Sequence, residues 1–573
     1  MMATHKQMLA DPEKPRFFRD QCKAHKAILM LLLLAAVLIF PNFGRDALWN
    51  DEGDTAYWGM SIRHSGLPLA WDGRNFSAED SRGLTEGLIY VNMPWLSLYA
   101  SAASMTIFGE NTSAARFPFA LAGWATVLAL YLLVLRATGD KKAALYAAGM
   151  LLLCVTFFLY ARSCRYYAFV MLFTSIALWI FLKLDDRRQV PVFALTVILL
   201  FYSLYLPAIC VLAALTFLVL VYKPFHKYRR GLIVSLLMIV PVTLPWLLWT
   251  YHHFSGDVAP LPLSLDELLS RAGQVMIEIG SAAPLLGWLA LLFMAKRPLL
   301  KKYAPLLVLC GTVIAVSAAA DICMHSADQM ATFGLRHYCG IIPLAAVLSG
   351  LLIVCTDRKL WATMLLMLLL GATHLGGNFF PWFISRSENQ DRATLKKITQ
   401  MHVPDHWLKM VFRYEIPGYL LELFIDNPGT TTEICKVLLE QTAPGDKLFV
   451  NYAWEPIYFY TRLQQVGKLA PISPAYKLAR QHGVPEEVAD ASAADWAVWR
   501  SGWGFYQYGD KHWKYARAQW KKQGKTLTEV ARIKDTLWEN RPNLYFHRFP
   551  GFGYLYPNPW PVSFPDAVIY HVE

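Results

Sequence analysis

The chain has 573 residues, of which 55% are hydrophobic and only 17% are charged, and its mean hydropathy is +0.31. This composition excludes a soluble domain of ordinary make-up and indicates several membrane spans. The formal net charge of +12 is typical of nucleic-acid-binding proteins. Much of the excess, however, lies in short loops between apolar runs, where membrane topology explains it better, so we expect no nucleic-acid partner.

Apolar runs predict the membrane spans, because a bilayer core of about 30 Å needs roughly 17–25 apolar residues in a helix. The run from Val190 to Tyr222 is too long for one ordinary pass, and basic residues flank both of its ends. It should therefore cross twice and turn near Tyr205-Leu206-Pro207, since proline breaks a helix. The predicted spans, about eleven when that run is counted twice, are Ala27–Phe43, Phe117–Leu135, Ala143–Ala161, Tyr166–Leu182, Val190–Tyr222, Gly231–Tyr251, Pro284–Ala295, Tyr303–Ala320, Tyr338–Cys355 and Leu360–Phe380.

Charge placement predicts the orientation of these spans. Lysines and arginines crowd the tail before the first span, and alternate short loops are basic, as cytoplasmic loops are. This pattern predicts a cytoplasmic N-terminus and an outer C-terminus. The first span lacks a small-x-small cleavage site after it, so we expect an uncleaved anchor. The chain then divides into a basic tail (1–26), a transmembrane region (27–383) that includes a first outer loop (44–115), and an outer domain (384–573).

The first outer loop contains two predicted helices. The segment "DTAYWGMSIRHSG" has helical spacing and stops at Gly66, and "MPWLSLYASAASMTIFG" begins at a proline and stops at Gly109. Amphipathic, aromatic-rich helices of this type lie in the plane of the membrane interface.

The outer domain has the pattern of a small α/β unit. A helix with a threonine N-cap is predicted at "TTTEICKVLLEQT", and strands are predicted at "GDKLFVNY", "ADWAVWR" and "NLYFHRF". The predicted fold is therefore a polytopic α-helical membrane protein of about eleven transmembrane helices, with interfacial helices in the first outer loop and a C-terminal soluble α/β domain.

Three carboxylates, Asp51, Glu52 and Asp54, fall within four positions just after the first apolar run. Asn50 or Asp51 could N-cap the helix that follows, and acids in a first turn complement its dipole by about 0.3–1 kcal/mol each. One cap would suffice, however, and closely spaced acids repel one another, which suits a general base better than a cap. The local pattern alone leaves both interpretations open.

Cationic residues on the same predicted side of the membrane favour the catalytic interpretation of these carboxylates over the capping one. Arg162 and Arg165 lie at the outer end of one span, and Arg336 and His337 lie at the outer end of another. The planar guanidinium fork suits phosphate, so these positions predict an anion site beside a base. The alternative is that the arginines extend to lipid headgroups. Cys323 and Cys339 could both lie near the outer rim and form a disulfide, which spacing alone cannot establish.

These residues resemble those of the GT-C glycosyltransferases, most nearly the bacterial lipid A aminoarabinose transferases and the protein O-mannosyltransferases. The resemblance extends from about residue 25 to 380 and rests on the order of four segments: "NDEGDTAYWGMSI", "NMPWLSLYASAASMTIFGENTSAARFPFALAGWATVLALYLL", "YARSCRYYAFVMLF" and "LRHYCGIIPLAAVL". One departure is Asn92-Met93-Pro94, where many relatives carry a His-Pro-Pro type sequence.

The resemblance implies a multi-pass enzyme of the inner (plasma) membrane, with its active site and C-terminal domain on the periplasmic or extracellular side. It implies inverting transfer of a sugar from a polyprenyl-phosphate donor to a hydroxyl of a lipid, a glycan or a protein. By the same resemblance the base is Asp51, with Glu52 its motif neighbour and Asp54 ranked third. The donor phosphate is implied at a group of outer residues, namely Arg162, Arg165, Arg336, His337 and Tyr338.

No cofactor is required by this scheme, although a divalent cation could be accommodated. His252, His253 and Asp257 share one outer loop and His325 and Asp328 another, but neither spacing compels a metal site. A transporter or flippase is the main alternative function. Transporters place binding residues near the bilayer midplane, whereas the charges here gather at the predicted outer rim. A non-catalytic receptor or assembly factor would leave the acids and arginines unexplained.

Overall fold

A computed structural model describes residues 13–77, 83–253, 264–280, 283–324, 334–371, 416, 419–420, 423–424, 429–467, 474–500, 507–534 and 566–573. The predicted strand "NLYFHRF" and the loop residues Asp257, His325 and Asp328 lie outside these ranges.

The N-terminal part of the chain is helical. Its helices are α1 Glu13–Ile39, α2 Asn50–Ser65, α3 Leu96–Phe108, α4 Thr112–Thr138, α5 Lys141–Leu151, α6 Val155–Ala161, α7 Tyr167–Phe181, α8 Gln189–Ser203, α9 Tyr205–Val221, α10 Arg229–His253, α11 Leu265–Gly280, α12 Leu285–Met294, α13 Arg297–Met324, α14 Ile341–Cys355 and α15 Lys359–Gly371. Short 3₁₀ helices cover Lys223–Tyr228 and Gly334–Tyr338. The predicted double crossing between Val190 and Tyr222 corresponds to two helices that meet at Leu204, as expected from the proline at the start of α9.

Within the described ranges, three helical segments are long and apolar enough to cross a membrane by length and composition: Thr112–Thr138, Lys223–His253 (the 3₁₀ helix together with α10) and Arg297–Met324. The bent pair α5 and α6 adds a fourth if it is one span, and several shorter apolar helices of 10–17 residues accompany them. The prediction of a multi-helix membrane protein is therefore confirmed. The count of about eleven spans and the orientation stay predictions.

Close helix packing builds the membrane region around α4 and α5. Ala143, Ala144, Ala147 and Ala148 of α5 are fully buried, and α14 crosses this alanine face so closely that a Cβ atom at Gly350 would lie 2.4 Å from the Ala147 nitrogen. Small residues permit such backbone-to-backbone approach between membrane helices.

The two helices of the first outer loop form as predicted. The helix α2 ends at Gly66, which adopts the left-handed conformation (φ 80°) that glycine allows, and α3 ends before Gly109. The start of α2 differs from both predicted caps. Trp49 holds the N-cap position, and its backbone N–H donates to the Glu52 carboxylate (3.2 Å), so neither Asn50 nor Asp51 caps the helix.

The C-terminal part is an α/β unit, as predicted. Its elements are α16 Thr430–Gln441, β1 Lys447–Val450, α17 Trp454–Thr461, β2 Gln464–Gln465, α18 Pro474–Gln481, α19 Glu486–Ala489, β3 Trp496–Trp499, α20 Gln507–Lys522, β4 Leu527–Ile533 and β5 Ala567–Val572. The strand order is β2-β1-β3-β5-β4, with β2, β1 and β3 parallel and the last two antiparallel. The predicted threonine cap of α16 is wrong by one residue, because Gly429 holds that position without a side-chain bond.

The disulfide considered for Cys323 and Cys339 does not form. Both thiols are free: Cys323 is exposed in the last turn of α13, whereas Cys339 is buried and its Sγ lies 3.7 Å from the Tyr167 carbonyl oxygen, to which it donates.

Candidate active site

Two carboxylates and two guanidinium groups alternate in a continuous chain at one end of the helical bundle. Asp54 Oδ2 accepts from Arg165 Nη1 at 3.0 Å, and Arg165 Nη2 lies 3.7 Å from Asp51 Oδ2. The same Asp51 oxygen accepts from Arg336 Nη1 at 2.9 Å. We call Asp54, Arg165, Asp51 and Arg336 the charge chain.

Three separate segments supply the charge chain. The N-terminal part of α2 carries both acids, the turn between α6 and α7 carries Arg165, and the 3₁₀ helix Gly334–Tyr338 carries Arg336. Asp51 and Arg336 are 285 positions apart, so this contact depends on the packing of the bundle and not on local sequence. The predicted approach of the first-loop acids to Arg165 and Arg336 is thus present in the structure.

The charge chain is largely shielded from water. The side chains of Asp51 and Asp54 are 18% and 25% exposed, and those of Arg165 and Arg336 are 13% and 14% exposed. Burial raises the pKa of Asp54 although Arg165 opposes the change. Burial alone would lower the pKa of each arginine, but the neighbouring carboxylates raise it, so both guanidinium groups stay charged.

Glu52 points away from the charge chain. It is fully buried, and its carboxylate accepts from Arg116 Nε (2.8 Å), Arg116 Nη2 (2.6 Å) and the Cys164 backbone N–H (2.7 Å), besides Trp49 N–H. Arg116 also donates to the carbonyls of Phe43, Asp46 and Ala47. Glu52 therefore ties the start of α2 to α4 and to the turn that carries Arg165.

Arg162 has a different environment from Arg165. Its Nη1 donates to the Tyr419 hydroxyl (3.2 Å) and its Nη2 to the Pro41 carbonyl (3.1 Å). The guanidinium also lies 5.8 Å from the Tyr419 ring centroid. The structure thus does not bring Arg162 into the charge chain, and its predicted role at the phosphate stays a prediction.

The other two residues predicted beside Arg336 lie next to it. Arg336 Nε contacts His337 Nε2 at 3.3 Å, and Tyr338 is buried, with 2% of its surface exposed. Their roles toward a phosphate also stay predictions.

Sequence reasoning missed several neighbours of the charge chain. Arg165 Nη1 also donates to Thr55 Oγ1 (2.9 Å), Trp58 Nε1 donates to Asp54 Oδ1 (2.6 Å), and the Tyr166 ring lies 5.7 Å from the Arg165 guanidinium. Trp58 in turn stacks on Tyr90 with ring centroids 4.1 Å apart. The spacing of four residues from Asp54 to Trp58 could have predicted that pair, since such residues are neighbours on a helix.

Two buried donors at the site lack a hydrogen-bond partner among the residues that the structure describes. They are Arg165 Nε and the Tyr167 hydroxyl. A buried donor without a partner is costly, and such groups deserve an explanation in function or in bound solvent. Within the same described ranges, no group of three or more His, Cys, Asp or Glu side chains could hold a metal ion.

Comparisons with known proteins support the predicted resemblance. Residues 92–249 match the family model described as dolichyl-phosphate-mannose-protein mannosyltransferase. No curated protein sequence matches the chain.

Among solved structures, the fold is similar to that of ArnT from Cupriavidus metallidurans. The complex of ArnT with undecaprenyl phosphate aligns with a TM-score of 0.54 and 15% identity over 88% of this chain and 96% of that one. The apo state aligns with a TM-score of 0.55 and 14% identity over 96% and 98%. The oligosaccharyltransferase AglB from Archaeoglobus fulgidus reaches a TM-score of only 0.44, at 12% identity over 84% and 69%. The family match and the ArnT-like fold confirm the resemblance to GT-C membrane glycosyltransferases.

Proposed function

From this GT-C-type fold, we propose that the protein is an inverting glycosyltransferase. It moves a sugar from a polyprenyl-phosphate donor to a hydroxyl of a lipid, glycan or protein, on the outer face of the inner (plasma) membrane. The observation that carries the proposal is the charge chain, which sets a carboxylate against two guanidinium groups at the end of an apolar helical bundle.

The ligands of similar proteins support the donor class. The matching family acts with dolichyl-phosphate-mannose, and ArnT binds undecaprenyl phosphate. Both are polyprenyl phosphates, with an apolar chain suited to the bundle and an anion suited to arginine.

The donor phosphate would bind Arg165 and Arg336. Charge-assisted, bidentate bonds from guanidinium to phosphate oxygens are strong, and Arg165 Nε is a further donor without a partner among the described residues. In the structure Asp51 holds Arg336 at 2.9 Å. The arriving phosphate competes for that guanidinium, and this releases the Asp51 carboxylate when the donor is in place.

The chemical step then needs one base and one anion site. An acceptor hydroxyl oxygen attacks the anomeric carbon from the face opposite the phosphate, and Asp51 takes the hydroxyl proton as the new glycosidic bond forms. The bond between the anomeric carbon and the phosphate oxygen breaks, through an oxocarbenium-like transition state. The polyprenyl phosphate departs with that electron pair, and the two arginines stabilise its growing negative charge, often the largest catalytic contribution.

Other residues would support this arrangement without reacting. Asp54 and Thr55 hold the Arg165 guanidinium, and Asp54 is itself held by Trp58. We assign Arg162 to the outer end of α1, because its two Nη groups donate to the Tyr419 hydroxyl and the Pro41 carbonyl and it does not contact the charge chain.

Binding of polyprenyl phosphate to purified protein in detergent tests the anion site. We expect Arg336→Gln to weaken the affinity about 10- to 100-fold, as the loss of a charge-assisted bond requires. Arg162→Gln should have a clearly smaller effect. The wild type should also transfer radiolabel from at least one of a panel of polyprenyl-phosphate sugars.

Two results would contradict the proposal. One is equal affinity of wild type and Arg336→Gln for polyprenyl phosphate, which would show that the phosphate does not bind at the charge chain. The other is a larger loss from Arg162→Gln than from Arg336→Gln, which would move the site to the end of α1.

A further inference from the structure

We propose that helix α17 of the C-terminal domain is a positioning element for the catalytic acids, with Pro456 seated against Gly53 as its central contact. The inference rests on the proposed function, because it deepens the role of the helix that carries Asp51. It assigns a task in catalysis to a domain that lies far from α2 in sequence.

The contact between Gly53 and Pro456 is a close approach of two backbones. A Cβ atom at Gly53 would lie 2.5 Å from Pro456 Cδ, 2.6 Å from Pro456 N and 3.0 Å from Pro456 Cα. Two of these atoms belong to the backbone, so no side-chain rotation could relieve the clash. Gly53 also lies between Glu52 and Asp54, in the middle of the acid motif. The C-terminal domain therefore packs directly on the turn that presents the carboxylates.

Aromatic rings extend this contact along α2. The Tyr57 ring, one turn after Gly53, packs edge-on against Trp454 (centroids 5.2 Å apart) and against Tyr458 (5.8 Å). Tyr57 and Trp454 are almost completely buried. Such ring pairs have preferred geometries that fix orientation as well as add area.

Polar contacts hold α17 to both ends of α2 and to α4. The Tyr460 hydroxyl lies 2.8 Å from the Leu48 backbone N–H, which donates to it, and 2.8 Å from Thr112 Oγ1. Arg462 pairs with Glu110 at 2.6 Å, and Glu110 also pairs with Arg63 in the last turn of α2. Both ends of α2 are thus tied to α17, directly or through Glu110.

The backbone of α17 is bent sharply at both ends. Ala453 (φ 55°) before the helix and Arg462 (φ 58°) after it adopt the left-handed conformation without being glycine. That conformation is uncommon for residues with a Cβ atom and persists where surrounding structure holds it, often at functional sites. These two turns set the eight-residue helix between the sheet and α2.

Together these contacts fix how α2 presents Asp51 to the arginines. Arg165 and Arg336 lie on other segments, so a shift of α2 would displace the base itself, whereas the arginines would lose only the side-chain contacts that α2 makes to them. The expected signature is a loss of turnover that is much larger than any loss of donor affinity.

A pair of glycine substitutions in the same helix tests this. Gly53→Ala places a Cβ against the backbone of α17 at 2.6 Å. The matched control Gly59→Ala makes a milder approach to α3, because its Cβ would meet the flexible end of Met105 (2.9 Å) and lie 3.3 Å from the Ala102 nitrogen. Both changes remove a helix glycine, so their effects on helix propensity are alike. We expect Gly53→Ala to lower kcat roughly 10- to 100-fold, because a misplaced base slows the reaction. Here kcat is counted per protein molecule that binds polyprenyl phosphate. The KM for the donor should stay within about twofold of the wild-type value. Gly59→Ala should stay within about threefold of wild type in both constants.

Amide hydrogen exchange gives a readout that does not depend on the reaction. Gly53→Ala should speed exchange in the first turn of α2 and in α17, and Gly59→Ala should not. A second pair, Trp454→Ala against Trp513→Ala, applies the same truncation to the C-terminal domain. Of these two tryptophans, Trp454 contacts α2 through Tyr57. Trp513 packs instead in a separate core with Phe449 and Trp520.

The results separate this inference from the proposed function. Equal turnover and equal exchange for Gly53→Ala and Gly59→Ala would overturn the positioning role. A loss of donor affinity in Gly53→Ala as large as the loss of turnover would also overturn it, since the substitution would then disturb the phosphate site and not the base alone. If wild type transfers no sugar from any donor, the proposed function fails, and exchange in the first turn of α2 still decides whether α17 holds that turn.

Discussion

At the scale of single residues, three neighbouring carboxylates have three different environments. Asp51 faces two arginines, Asp54 is held by Arg165 and Trp58, and Glu52 is buried against Arg116. The sequence places them within one helical turn, where they read as equivalent candidates. The folded structure gives them different partners, because side chains at successive positions on a helix point in different directions.

Glu52 should matter for stability more than for chemistry. Removing one member of a buried ion pair leaves the other charge uncompensated, which typically costs about 3–5 kcal/mol. We expect Glu52→Gln to lower the unfolding temperature in detergent well below that of Asp51→Asn. If Glu52→Gln unfolds like wild type but transfers no sugar, Glu52 acts in the reaction instead.

Asp54 should make stability depend on pH. Because burial raises its pKa above the ordinary value of 3.8, the folded protein holds this proton more tightly than the unfolded chain. The stabilisation is complete below that ordinary value and is lost as pH rises through the raised pKa. The unfolding temperature of Asp54→Asn minus that of wild type should therefore increase as pH rises from that ordinary value through the raised pKa. A difference that decreases over this range would contradict the assignment.

At the scale of elements, local sequence signals predicted where helices end or break, but they did not predict which distant residues their side chains contact. Gly66 and Gly109 mark the ends of α2 and α3, and Pro207 marks the break between α8 and α9, because glycine and proline act on their own backbone. The partner of Glu52 is Arg116, 64 positions away, and no local pattern identifies it. The caps considered for α2, Asn50 and Asp51, are not used because the helix already includes both residues and begins after Trp49, whose backbone N–H donates to Glu52.

The close packing of α14 on α5 gives an element-scale prediction. Gly350→Ala should destabilise the protein, because its Cβ would lie 2.4 Å from the Ala147 nitrogen. Gly311→Ala in α13 is the matched control, since nothing lies within 4 Å of its Cβ position, and it should be neutral or stabilising by up to about 1 kcal/mol. Unfolding temperatures in detergent distinguish the two. Equal values would show that α14 can move away from α5.

At the scale of the whole molecule, the proposed catalytic residues come from parts of the chain that lie far apart in sequence. The first outer loop supplies the acids, the bundle supplies the arginines, and the C-terminal domain packs on the acid helix through Gly53 and Pro456. Composition and hydropathy predicted the membrane region and the α/β domain, but not that the domain contacts the acid motif. No periodicity in sequence encodes a contact between two domains.

Orientation is a whole-molecule prediction from the basic loops. A fluorescent protein fused before Met1 should fluoresce in the cytoplasm, and alkaline phosphatase fused after Glu573 should be active, because it needs an oxidising outer compartment. Inactive phosphatase on a stably inserted protein would reverse the topology and place the charge chain on the inner face.

The most direct test of the central claim compares sugar transfer and polyprenyl-phosphate binding by wild type and Asp51→Asn. Asparagine removes the proposed base, which is also the carboxylate that would compete with phosphate for Arg336. We therefore predict that transfer falls about 10²- to 10⁴-fold while polyprenyl phosphate binds at least as tightly as to wild type. Equal transfer by both proteins would contradict the account and would move the base to Glu52 or Asp54.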